Sequence, residues 1–132
     1  MIQLREAYRL NQSLIEQPGG ENIFPREIED QLMSHPSISE ASVIAIKDER
    51  YGEVVGCVLK AAVGCQRISD PEVTQWVSDR LGRHKAPHHV FWLGERGMGD
   101  DFPKTGSGKH QKHLLREIVN RLVKERHIGA RL

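Results

Sequence analysis

Gly106, Ser107 and Gly108 stand directly before Lys109 in the stretch FPKTGSGKHQK, residues 102–112, and a helical apolar pattern follows. A glycine-flanked lysine ahead of a helix has three chemical readings: a phosphate cradle, a lysine carried on a mobile loop, or a basic helix start. A P-loop of the form GxxxxGK[ST] needs glycine at position 103 and a hydroxyl residue at 110. Those positions hold Pro103 and His110, so the cradle fails, its metal-holding hydroxyl included. What survives is one ammonium on a flexible turn. A helix N-terminus favours anions and disfavours a lysine. A lysine there makes chemical sense when it reaches outward to a negatively charged ligand, and a plain surface lysine is the alternative.

The other candidate ligands and nucleophiles point to less. His84, His88 and His89 lie close together, and His110 and His113 are one helical turn apart. No cysteine or acidic residue falls at a usual zinc spacing around them, so they read as surface or strand-face histidines and no metal site is expected. Cys57 sits inside an apolar strand pattern and reads as a buried reduced thiol, and two cysteines make no disulfide framework.

Several elements must hold Lys109 in place. Leu4, Ala7, Tyr8, Leu14 and Ile15 have helical spacing, which predicts a helix over residues 2–16 ended by Gln17-Pro18-Gly19-Gly20. Pro25 suits the first turn of a short helix through about Ser34, with Ile28, Leu32 and Met33 inward. Ala41–Ile46 and Gly56–Val63 read as partner strands around the charged turn Lys47–Arg50. Ser69-Asp70-Pro71-Glu72 has capping-box spacing and opens a helix with Val73, Trp76, Val77 and Leu81 on its apolar face. Val90–Leu93 is a third strand, and a final helix from about His110 to Arg126 carries the stripe Leu114, Leu115, Ile118, Leu122 and Val123. The expected fold is α+β: a small three-stranded sheet flanked by helices, with an extra N-terminal helix.

Composition agrees with one folded domain. The 132 residues are 38% hydrophobic and 28% charged, and no apolar run approaches the ~20 residues that span a bilayer. Net charge is +1, unevenly spread: residues 104–132 hold eight Lys/Arg against two Glu, and residues 1–56 hold ten Asp/Glu against five Lys/Arg. A basic C-terminal third suits an anionic partner such as a phosphate ester, or is simply a solvated face. The last helix interleaves no aromatics with its charges and no nucleic-acid motif is present, so nucleic acid is not an expected partner.

The stretch GGENIFPREIEDQLMSHPSISEASVIAIKDERYGEVV, residues 19–55, followed by FPKTGSGKHQK, resembles the C-terminal domain of the adenylate-forming acyl-CoA ligases. That superfamily also holds luciferases and the adenylation domains of peptide synthetases. The resemblance runs from Gly19 to about Val119, and GGENIFP is more similar to the fatty- and medium-chain-acyl members. It implies a two-step reaction. A carboxylic acid and ATP, with magnesium, give an acyl-adenylate and pyrophosphate, and CoA then displaces AMP to give a thioester. It also implies a division of labour, in which a large domain holds ATP and the acid and this small domain rotates as a lid between the steps.

On that resemblance Lys109 is the lysine that enters the site for adenylation, and Gly106 and Gly108 let its loop travel. Gly19, Gly20, Glu21 and Asn22 form the turn presented to the pantetheine arm of CoA. Lys85, within KAPHHVFWL, touches the CoA phosphates, and Tyr51-Gly52-Glu53 falls on the family pattern with a structural role. The family enters this region through GRxKDxIxxGGENI, whereas Asn11 stands here at the Arg position and Leu14 at the Asp position. The expected organisation is therefore an atypical segment 1–18, a ligase lid domain 19–126 and a tail 127–132. Such a chain is expected to be incomplete alone and to need a separate large adenylation domain, with a non-catalytic remnant or interaction module as the alternative. Ala130-Arg131-Leu132 resembles the peroxisomal tripeptide typified by SKL, which gives a peroxisomal location as the expectation and a cytoplasmic one otherwise.

Overall fold

The computed structural model describes residues 15–16, 22–95 and 97–131. Strand β1 is Ile15–Glu16 and pairs antiparallel with β2, Asn22–Ile23, in the register Ile15↔Ile23. This corrects the end of the helix predicted over residues 2–16: strand pairing takes Ile15 and Glu16 out of the helical period. The rest of that helix, the extra N-terminal one, and the turn at residues 17–20 lie outside the described residues.

Helix α1 is Pro25–Met33, with Pro25 in its first turn and Ile28 and Leu32 buried. Met33 is 41% exposed rather than inward, because it falls off the i, i+4 stripe that Ile28 and Leu32 define. Strands β3, Ile38–Asp48, and β4, Gly52–Ala61, form an antiparallel pair centred on Val43↔Cys57. Their turn is tied by Asp48, whose Oδ1 accepts the N–H groups of Arg50 and Tyr51 at 2.8 Å each. Val63, expected at the end of β4, is instead fully exposed in the turn before Gly64.

Helix α2, Asp70–Leu81, starts as its sequence dictates: Ser69 Oγ accepts the Glu72 N–H at 3.2 Å. The Glu72 carboxylate does not return to the cap but faces His35 Nε2 at 3.7 Å. After a 3₁₀ turn at Arg83–Lys85, strand β5, His89–Trp92, runs parallel to β4, giving a mixed sheet in the order β3-β4-β5. Helix α3 is Lys112–Arg131 and begins two residues later than the sequence predicts.

The sheet has a core on each face, which explains why β3 and β4 read as unbroken apolar runs rather than alternating ones. Val43, Ala45, Val55 and Cys57 join Ile28, Leu32, Val73 and Val77 of α1 and α2. Ile44, Ile46, Val54, Val58 and Phe91 face the other way and meet Leu115, Val119 and Val123 of α3. The helix pair α1–α2 is also joined by Trp76, whose indole N–H donates to Gln31 O at 2.8 Å. Cys57 is buried, and that burial pushes its thiol pKa far up, so it stays an un-ionised core residue.

Candidate functional site

Lys109 sits in a small hairpin placed directly before α3. Lys104 and His110 pair as an antiparallel bridge, and Gln111 N–H donates to Pro103 O at 2.7 Å. Inside that bridge Thr105 holds Lys109 twice. Its N–H donates to Lys109 O at 2.8 Å, and its Oγ1 accepts the Lys109 N–H at 3.2 Å. Gly108 takes φ +86°, a left-handed value that only glycine adopts without strain, and its N–H donates to Thr105 O at 2.9 Å. A methyl group at Gly106 or Gly108 would meet nothing within 4 Å, so the tip projects into open space. Lys109 itself is exposed, and no partner of its ammonium is found among the described residues.

The hairpin base is held by Glu40 of β3. Its Oε2 lies 2.9 Å from His110 Nε2, and its Oε1 accepts from Lys104 Nζ at 3.3 Å, so one carboxylate takes both legs. The His110 ring stacks on the buried Phe102 ring with centroids 4.2 Å apart and planes 17° apart. Burial alone would raise the Glu40 carboxyl. The hydrogen bonds from His110 and Lys104, with their charges, outweigh it and hold the group below the ordinary carboxylate value.

One turn on, Lys112 opens α3. Its Nζ lies 2.7 Å from Glu29 Oε2 of α1 and donates to Val43 O at 3.1 Å, while the same Glu29 oxygen accepts the Val43 N–H at 2.8 Å. Three elements therefore meet under the hairpin, and α3 cannot shift without breaking them. Residue spacing offered no signal for Glu40, Thr105, Glu29 or Lys112 as supports. The partners are brought together only by strand register, Glu40 lying 64 and 70 positions from Lys104 and His110.

The remaining candidates are placed elsewhere or not described. Lys85 is in the 3₁₀ turn and its Nζ lies 3.0 Å from Glu27 Oε2, so it joins α1 rather than the hairpin. Asn22 lies in β2 opposite Glu16, and Gly19, Gly20 and Glu21 fall outside the described residues. Tyr51 is exposed at the β3–β4 turn, with the Arg50 guanidinium 5.1 Å from its ring centre. No helix among the described residues is long and apolar enough to cross a membrane.

The profile of the AMP-binding enzyme C-terminal domain matches residues 27–109. Acyl-CoA ligase cnsG of Penicillium expansum is 56% identical over 105 residues, which is 80% of this chain and 22% of that protein. Acyl-CoA ligase sidI of Beauveria bassiana is 47% identical over 115 residues, 86% of this chain and 20% of that one. In space the chain is similar to ATP-bound MatB from Rhodopseudomonas palustris, with a TM-score of 0.73 at 28% identity over 85% of this chain and 21% of that one. The chain thus spans about a fifth of the length of the relatives it matches.

Proposed function

This chain belongs to the AMP-binding enzyme C-terminal domain family, and from that membership we propose that it is the lid of an acyl-CoA ligase, with Lys109 acting in adenylation. The reading rests on one observation: Lys109 stands at the tip of a hairpin whose base is pinned, while its own ammonium has no partner among the described residues. A large adenylation domain supplies ATP and the acid.

In the first step a carboxylate oxygen of the acid forms a bond to the α-phosphorus of ATP. The bond from that phosphorus to the bridging oxygen breaks, and pyrophosphate leaves with the electron pair. Negative charge crowds between the incoming carboxylate and the α-phosphate, and a compact ammonium placed there stabilises the transition state more than the separated substrates. Lysine suits this because its charge is small and its stem flexible enough to meet both oxygens. In the second step the CoA sulfur bonds to the acyl carbon as the bond to AMP breaks, with loss of the thiol proton.

The thioester step uses the other candidates. Gly19, Gly20, Glu21 and Asn22 line the pantetheine arm, where glycine allows close backbone approach. Lys85 meets a CoA phosphate. Its pair with Glu27 is partly exposed, and such pairs contribute about 0–1 kcal/mol, so exchanging that carboxylate for a phosphate costs little.

The test joins or mixes this chain with the large domain of an acyl-CoA ligase relative and measures acid-dependent pyrophosphate exchange. The wild-type lid restores exchange, and Lys109→Ala lowers it by about 100-fold or more. Thioester formation from supplied acyl-adenylate stays close to wild type in that variant. No restoration by the wild-type chain in either arrangement refutes the lid reading and leaves a non-catalytic module.

A further inference from the structure

We propose that Glu40 is a positioning residue for Lys109, a role that rests on the lid reading above. Glu40 stands near the start of β3, on the sheet, and its two oxygens reach the two legs of the hairpin separately, Lys104 at 3.3 Å and His110 at 2.9 Å. His110 is the residue next to Lys109. Its ring is fixed on one side by this carboxylate and on its face by Phe102. Through Thr105 the Lys109 peptide is fixed as well. The base of the hairpin is therefore tied to the sheet at both legs, and the exposed lysine stem extends from it.

Magnitudes separate this role from a merely stabilising one. Partly exposed ion pairs add little to folding stability. Misplacing a reacting group by about 1 Å, in contrast, can cost about 100-fold in rate. The effect of losing Glu40 is expected in the rate of one half-reaction rather than in the integrity of the fold.

The experiment uses the same lid and large-domain assembly. Glu40→Gln keeps the side-chain size and removes the charge. It is expected to lower the adenylation kcat by about tenfold with KM for ATP unchanged. The conversion of supplied acyl-adenylate to thioester stays intact and reports that the variant is folded. Glu40→Asp, which retracts the carboxylate by one methylene, gives the same split. Combined with Lys109→Ala, Glu40→Gln adds no further loss, because the group it aims is gone. Full adenylation in Glu40→Gln, an equal loss in both half-reactions, or an additive loss in the double variant overturns the positioning role. A Lys109→Ala variant that adenylates normally overturns the reading beneath it instead.

Discussion

The lysine set against a helix dipole is Lys112, the first residue of α3, and Glu29 answers it at 2.7 Å. Both side chains are mostly buried, at 20% and 15% exposed, and the carboxylate also holds the Val43 N–H. Glu29→Ala therefore strips a half-buried ammonium of its carboxylate and the Val43 N–H of its acceptor together. Unfolding in urea is expected to show a loss of about 1–3 kcal/mol, well above that for Lys85→Ala at its more exposed pair. At this scale the sequence was partly readable. Glycine on both sides of Ser107 marked Lys109 as the group on a turn, and the broken P-loop pattern removed a competing chemistry. It could not show Glu40 or Glu29, because a carboxylate at one end of the chain has no mark that says which distant cation it will meet.

Elements carry the next level of explanation. The sequence placed all three strands of the main sheet and the three described helices, since apolar periodicity and the Ser69 cap act locally. It misjudged boundaries where a non-local partner decides. Ile15 and Glu16 leave a helical pattern because Asn22–Ile23 pairs with them, and α3 waits until Lys112 because His110 is taken by Glu40 and Lys104. Gly56 shows the same dependence inside β4. A methyl group there would lie 2.8 Å from Ile46 Cγ1 and nearer still to its Cδ1, in the core between the sheet and α3. Gly56→Ala is expected to destabilise the fold by about 1–3 kcal/mol through overpacking, read as a lower urea midpoint with an unchanged slope.

For the whole molecule, layers of helix, sheet and helix put two cores on one three-stranded sheet, and surface carboxylates tie the loops to it. Glu40, Asp48 and Asp101 all have carboxyls lowered from their usual values. For Asp48 the leading cause is the Tyr51 N–H and for Asp101 the Phe102 N–H, while at Glu40 the His110 and Lys104 bonds overcome burial. A carboxyl lowered in the folded state contributes stability fully above its unfolded value, 4.5 for Glu40, and loses it as pH falls through the folded value. Thermal melting is therefore expected to hold steady from neutral pH down to about 5 and to fall below that. Glu40→Gln should flatten the part of the decline that the hairpin clamp contributes.

The Glu29–Lys112 contact has a consequence for how these molecules meet one another. β3 is the outer strand of its sheet, and an outer strand with free N–H and C=O groups is a template on which another chain can grow. Here Val43 gives its N–H to Glu29 and its C=O to Lys112, and Lys47 gives its N–H to Asn120 Oδ1 at 3.0 Å. Side chains of two helices thus occupy rungs of β3 where another strand would pair, while the Gly106–Lys109 turn stays open to solvent.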